Sequence, residues 1–205
     1  SYILIISTII IGLISWIEFY ALISKIVKKN DSKSKILRFL YKSLSLLYLS
    51  GLVFFIISAK LINLNLYLVF IYSLLIAILS DIGGLVVGKI FKGKKLTKIS
   101  PNKTYSGAIG SVIFSVISMP VLNLFQQILY NKSMINFFQL KYLLLTILIS
   151  IICQSGDLYV SFWKRKIKIK NVSNILPGHG GVLDRIDGLI FVLIFSYAVN
   201  KVGLI

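Results

Sequence analysis

From Tyr142 to Lys170 the chain reads YLLLTILISIICQSGDLYVSFWKRKIKIK. Its first two-thirds are apolar over about 20 residues, the length a helix needs to cross the hydrocarbon of a bilayer. The tail then carries five cations: Lys164, Arg165, Lys166, Lys168 and Lys170. A basic loop follows the first and third apolar blocks of the chain as well. The 205 residues are 57% hydrophobic and 14% charged, with a mean hydropathy of +0.90. Soluble domains carry about a quarter charged residues, so this reads as a polytopic membrane protein.

Working outward, six apolar blocks are expected to span the membrane: residues 2–23, 39–59, 66–87, 105–130, 142–162 and 183–205. Pro120 is expected to kink the fourth, which helices in membranes tolerate when neighbours re-satisfy the backbone. The first block ends in Glu18 and Tyr20 without a small-residue cleavage site, so it reads as a span rather than a removable leader. The fold class expected is all-α, a single transmembrane domain over residues 1–205 with about six helices and no soluble domain. Cys153 is alone, so it says nothing of the redox compartment. Trp16, Tyr20 and Trp163 fit interfacial aromatics.

The net charge of +17 would suggest nucleic acid on a soluble protein. In a membrane protein, Lys and Arg report topology first, and no nucleic-acid partner is expected. The loops after spans one, three and five carry 7, 6 and 5 Lys or Arg, and Arg185 opens span six. The other side holds Lys60, Lys132, Lys141 and Lys201. The three basic loops are therefore expected in the cytoplasm.

The chain has six acidic residues, and acids inside spans are functional by default. Asp81 precedes Lys89 by roughly 12 Å of helix. Asp157 closes span five, and Asp184 and Asp187 open span six. Their depths were placed by Lys and Arg alone, yet all four fall at the cytoplasmic end. Asp184 and Asp187 are three apart, so they share a helix face. Two carboxylates that close either hold a hard cation such as Mg²⁺ or pair with Lys164, Arg165 or Arg185. Pro177-Gly178-His179-Gly180-Gly181 precedes span six. Its glycines allow backbone to approach a ligand, and helix-start amides suit phosphate; by itself, though, the segment reads first as a tight re-entrant turn, with His179 in an ordinary hydrogen bond. Ser100-Pro101-Asn102-Lys103-Thr104 reads either as a phosphate clamp or as a loop with a helix cap. Gly83, Gly84 and Gly88 read as a helix-packing surface. Glu18 is either a structural ion-pair partner or a site residue.

These residues also carry a resemblance. Ser161-x-x-Lys164-Arg165, Lys170 and Pro177-Gly178-His179-Gly180-Gly181-x-x-Asp184-Arg185-x-Asp187 closely resemble the signature of the phosphatidate cytidylyltransferase (CDP-diacylglycerol synthase) family. Ser155-Gly156-Asp157, Ser80-Asp81-x-Gly83-Gly84, Ser100-Pro101-Asn102-Lys103-Thr104 and Trp16-x-Glu18 are similar to further family blocks, in family order. The family usually has Lys-Asp where this chain has Lys170-Asn171. It also usually has spans before the Trp-x-Glu element, so the chain reads as a short member or one without its N-terminal helices.

The resemblance implies transfer of CMP from CTP to phosphatidate, giving CDP-diacylglycerol and pyrophosphate in phospholipid synthesis. It implies Mg²⁺, with or without a second cation, on Asp157, Asp184 and Asp187. Lys164 and Arg165 join these as catalytic residues. Asp81, Ser100, Asn102, Lys103, Thr104, His179, Gly180, Gly181 and Arg185 are the expected substrate contacts. The expected partners are CTP, phosphatidate and bilayer lipid, with a homodimer left open. The expected location is a bacterial inner membrane, with the site facing the cytoplasm. A different class, an ion-coupled transporter or channel using the intramembrane acids to bind a cation, is the alternative.

Overall fold

A computed structural model describes residues 2–27, 32–62, 64–97, 100–131, 135–169, 171–176 and 180–202. They form seven helices: α1 (Tyr2–Ile26), α2 (Ser32–Ile62), α3 (Leu64–Phe91), α4 (Tyr105–Val116), α5 (Ser118–Tyr130), α6 (Leu140–Lys166) and α7 (Leu183–Lys201). The fold is all-α, as expected. The expected fourth span runs as α4 and α5, parted only at Ile117, whose backbone stays helical (φ -62°, ψ -22°), so the expected kink is present about one turn before Pro120. Pro120 has no N–H, and its ring crowds the carbonyl four residues back, which is that of Val116. The helix accordingly kinks at Ile117, whose N–H bonds to Phe114 O at 3.0 Å.

Among the described residues, four segments are long and apolar enough to cross a membrane: Ile5–Ile26, Tyr67–Phe91, Tyr105–Ile128 and Leu140–Lys166. The protein is an integral membrane protein on this evidence. The expected second and sixth spans fall outside that set. α2 opens on Lys33, Lys35, Arg38 and Lys42, and α7 opens on Asp184, Arg185 and Asp187.

α3 lies at the centre, packed against α2, α4, α5, α6 and α7. Lipid gives helices no hydrophobic drive to associate, so close packing and polar contacts between helices hold them together. Ser73 on α3 donates to Ser196 on α7 at 2.7 Å, and Ser80 shares a hydrogen bond with Ser150 on α6 at 3.0 Å. The Tyr72 hydroxyl reaches Tyr142 O at 3.3 Å and also contacts Thr146. Where α5 turns towards α6, Gln126 binds both the N–H and the C=O of Ile135 at 2.9 Å. Lys42 Nζ sits 3.4 Å over the Tyr20 ring and ties α2 to α1.

The tightest approach is between α3 and α4. A Cβ at Gly110 would lie 2.4 Å from Val87 Cβ and 2.8 Å from Gly83 O. The expected small-residue surface on α3 is therefore real, and Gly110 on α4 is part of its partner. This close pairing brings the loop between the two helices over the end of α6. Gly51 on α2, by contrast, has nothing within 4 Å of an added Cβ. Gly110→Ala should destabilise the fold by about 1–3 kcal/mol through overpacking, whereas Gly51→Ala should be neutral or stabilising by up to about 1 kcal/mol. Thermal unfolding of the two variants in the same detergent measures the difference.

Candidate active site

The chain that leaves α3 folds back on itself before α4. Leu96 N–H donates to Lys103 O at 2.7 Å, Tyr105 N–H to Lys94 O at 3.1 Å, and Lys103 N–H to Ser100 O at 3.1 Å. Thr104 then caps α4, its hydroxyl accepting from Gly107 N–H at 3.1 Å. A side-chain oxygen at this position satisfies an amide that the helix itself leaves unpaired. The result is a fixed loop that aims Lys103 inward, where Nζ meets Asp157 Oδ2 at 3.2 Å.

Beneath the loop is a cavity of about 440 Å³, lined from α3, α4, α6 and α7 as well as the loop. That lies within the range of small-molecule sites, about 300–1,000 Å³. The lining includes Asp81, Ser100, Asn102, Lys103, Thr104, Asp157, Asp184, Arg185 and Asp187, all expected from the sequence. It also includes Ser111, Gln154 and Ser161. Gln154 was legible as a polar residue inside an apolar span, yet only packing shows which side of α6 it faces.

Asp157 on α6 and Asp187 on α7 are within hydrogen-bonding reach of each other. Gly188 permits this, because a Cβ there would lie 2.4 Å from Asp157 Oδ1. Lys164, whose side chain is 9% exposed, stands behind the α7 acids: Nζ is 2.8 Å from Asp184 Oδ1 and 3.5 Å from Asp187 Oδ2. The ion pairing weighed for these acids is thus present, with Lys164 as the partner.

Asp184 differs from the other two. Its Oδ2 accepts from Val172 N–H at 2.9 Å and Gly181 N–H at 3.0 Å, while Oδ1 accepts from Lys164. Both oxygens are engaged within the protein. Among the described residues, no three His, Cys, Asp or Glu side chains stand together as a metal-binding group. Asp157 and Asp187 form a cradle of hard oxygen donors open to the cavity, which Asp81 also lines, and two carboxylates so close share either a proton or a cation. That donor set fits one divalent cation completed by substrate oxygens.

Besides Lys164, three expected site residues sit away from the cavity: the substrate contacts Gly180 and Gly181 and the catalytic Arg165. Gly180 and Gly181 are buried, and their amides are taken: Gly180 N–H donates to Leu176 O at 3.1 Å, and Gly181 N–H to Asp184. The α7-start amides of Val182 and Leu183 donate to Glu18 at 3.1 and 2.7 Å. The helix start, weighed as a phosphate site against a tight turn, is thus already occupied by the protein's own carboxylates. Arg165 is exposed and donates to Ile169 O at 3.1 Å, closing the end of α6. His179, with Pro177, Gly178 and Lys170, lies outside the described residues.

A model of the cytidylyltransferase family matches residues 1–202. The phosphatidate cytidylyltransferase of Staphylococcus haemolyticus is 43% identical over 124 residues, which cover 60% of this chain and 45% of that one. The proteins of the same name from Rickettsia typhi and Helicobacter pylori are 38% and 39% identical over 122 residues each. These matches cover 58% and 59% of this chain and 53% and 42% of the relatives. The chain thus spans about half the length of the curated relatives it matches. With the family model matching residues 1–202 of 205, the chain belongs to the cytidylyltransferase family.

Proposed function

We propose that this chain transfers CMP from CTP to phosphatidate, releasing pyrophosphate and leaving CDP-diacylglycerol in the bilayer. One observation carries the reading beyond the family: two cavity carboxylates in mutual contact, Asp157 and Asp187, face Lys103 across a site formed at the ends of membrane helices. A polyphosphate and a lipid phosphate are both anionic, so the reaction needs charge neutralised and two phosphates aligned. The named relatives are all from bacteria, which supports a bacterial inner membrane.

In the proposed reaction an oxygen of the lipid phosphate forms a bond to the α-phosphorus of CTP. The bond from that phosphorus to the bridging oxygen breaks, and pyrophosphate leaves. Lys103 and Arg185 line the cavity, where they would offset the triphosphate charge. Ser100, Asn102 and Thr104 offer polar groups on the same rim. Lys164 keeps Asp184 and Asp187 in place and neutralises part of their charge. Asp157 and Asp187 would hold Mg²⁺, which when bound polarises phosphate oxygens as a Lewis acid. We assign Asp184 to a holding role, through Lys164 and the amides of Val172 and Gly181, and Asp81 to the same wall of the cavity as Asp157.

We also infer six crossings: α1, α2, α3, the α4–α5 pair, α6 and α7. The distribution of Lys and Arg supports placing the loop before α4 and the site in the cytoplasm. With Cys153 replaced by Ser, cysteines introduced at exposed Lys94 and exposed Asn136 should report opposite sides. A membrane-impermeant maleimide should label Asn136→Cys in intact cells and Lys94→Cys only after permeabilisation; the reverse pattern would invert the topology.

Asp157→Asn and Asp187→Asn should each lower CMP transfer by about 100-fold or more while leaving membrane insertion intact. Lys103→Ala should lower kcat/KM for CTP by about 10- to 100-fold, the size expected for losing a charge-assisted contact. Rates are read as labelled lipid formed from α-labelled CTP. Wild-type transfer by Asp187→Asn would sink the assignment.

A further inference from the structure

Among the described residues, the acid furthest in sequence from the site is the one most enclosed. Glu18, on α1, is 2% exposed. Among the described residues no Lys or Arg forms an ion pair with it. Its charge is met by three donors instead. Ser173 Oγ donates to Oε1 at 2.6 Å, Val182 N–H to Oε1 at 3.1 Å, and Leu183 N–H to Oε2 at 2.7 Å.

Two of those donors are at the start of α7. The residue in the N-cap position there is Val182, whose side chain supplies no cap bond. A helix start leaves amides unpaired and carries a partial positive charge. Glu18 fills both needs from another helix. Gly181 is what admits it: a Cβ there would lie 2.8 Å from both Glu18 carboxylate oxygens. Through Ser173 the same carboxylate also grips the loop leaving α6, since Ser173 Oγ accepts from Ile175 N–H at 3.3 Å.

The chain of contacts continues into the site. One residue beyond Leu183, Asp184 holds Val172 and Lys164, and Lys164 reaches Asp187. We propose that Glu18 is a positioning residue for the reaction: it caps α7 from α1, fixes segments 171–176 and 180–183 against the helix start, and so sets the Asp184–Lys164–Asp187 cluster behind the cavity. Its hydrogen-bond partners among the described residues, Ser173, Val182 and Leu183, lie outside the cavity lining, so it acts through the helix it caps. Its catalytic consequence rests on the proposed CMP transfer, whereas its capping does not.

The test uses the full chain in lipid nanodiscs, with Glu18→Gln and Glu18→Asp. Gln keeps one acceptor but turns an amide donor towards backbone N–H. It should lower kcat by about 10- to 100-fold, while KM for CTP changes by less than about threefold. Hydrogen exchange at Val172, Val182 and Leu183 should quicken by about tenfold or more, as expected for losing a cap, with α3 and α4 unchanged. Asp restores the charge one methylene short and should recover part of both. Unchanged kcat in Glu18→Gln overturns the positioning role, whether or not exchange changes; unchanged exchange overturns the capping. A general loss of protection in α3 and α4 would make Glu18 a residue of the whole fold, which also overturns the proposal. If the unaltered chain makes no CDP-diacylglycerol, the proposed transfer falls, and the exchange data still decide the capping.

Discussion

A carboxylate carried into a membrane protein must find a cation or a set of donors. Among the described residues Glu18 takes three hydrogen bonds and no cation. Asp184 takes two amides and Lys164. Asp187 shares that lysine, and Asp157 faces Lys103. Each solution uses a different helix or loop, so satisfying the acids is also what assembles the bundle around one end. α1 is held to α7 by Glu18, α6 to α7 by Lys164, and the α3–α4 loop to α6 by Lys103. The charges that make the site chemically useful are thus part of what locates the helices.

The acids are nonetheless not equivalent, and the difference follows from their partners. Glu18 and Asp184 have every oxygen engaged by groups of the protein, and both serve the start of α7. Asp157 and Asp187 lean on each other across Gly188 and open onto the cavity. Two mutually repelling carboxylates beside a lysine make a site that a divalent cation and phosphate oxygens would relieve. Glycine supplies the geometry elsewhere too: the close approach at Gly110 brings α4 near enough to α3 to lay its leading loop over Asp157.

Much of this is legible in the sequence. The apolar blocks give the helices, and Lys and Arg alone place Asp81, Asp157, Asp184 and Asp187 at one depth, where the cavity gathers them. Four matters needed the fold. The kink at Ile117 depends on where the carbonyl facing Pro120 falls, one turn before the proline. The partners of Asp184 and Glu18 are backbone amides, and an amide has no signature in a sequence. At Gly180 and Gly181 a phosphate-binding start and a tight turn both stay open, because a sequence shows which amides a helix leaves free but not which distant side chain takes them. Arg165 sits beside Lys164 in the chain, yet a helix turns neighbours about 100° apart, and it ends on the outer face.

The central claim is that Asp157 and Asp187 hold a metal ion that makes one cavity competent to join a nucleotide to a lipid phosphate. It is tested most directly by incubating the purified chain in nanodiscs containing phosphatidate with α-labelled CTP, with Mg²⁺ or with excess EDTA. The account predicts lipid-linked label and pyrophosphate in equal amounts with Mg²⁺, none with EDTA, and recovery when Mg²⁺ is restored. Equal lipid labelling with and without EDTA, or CTP cleaved with no label in lipid, would contradict it.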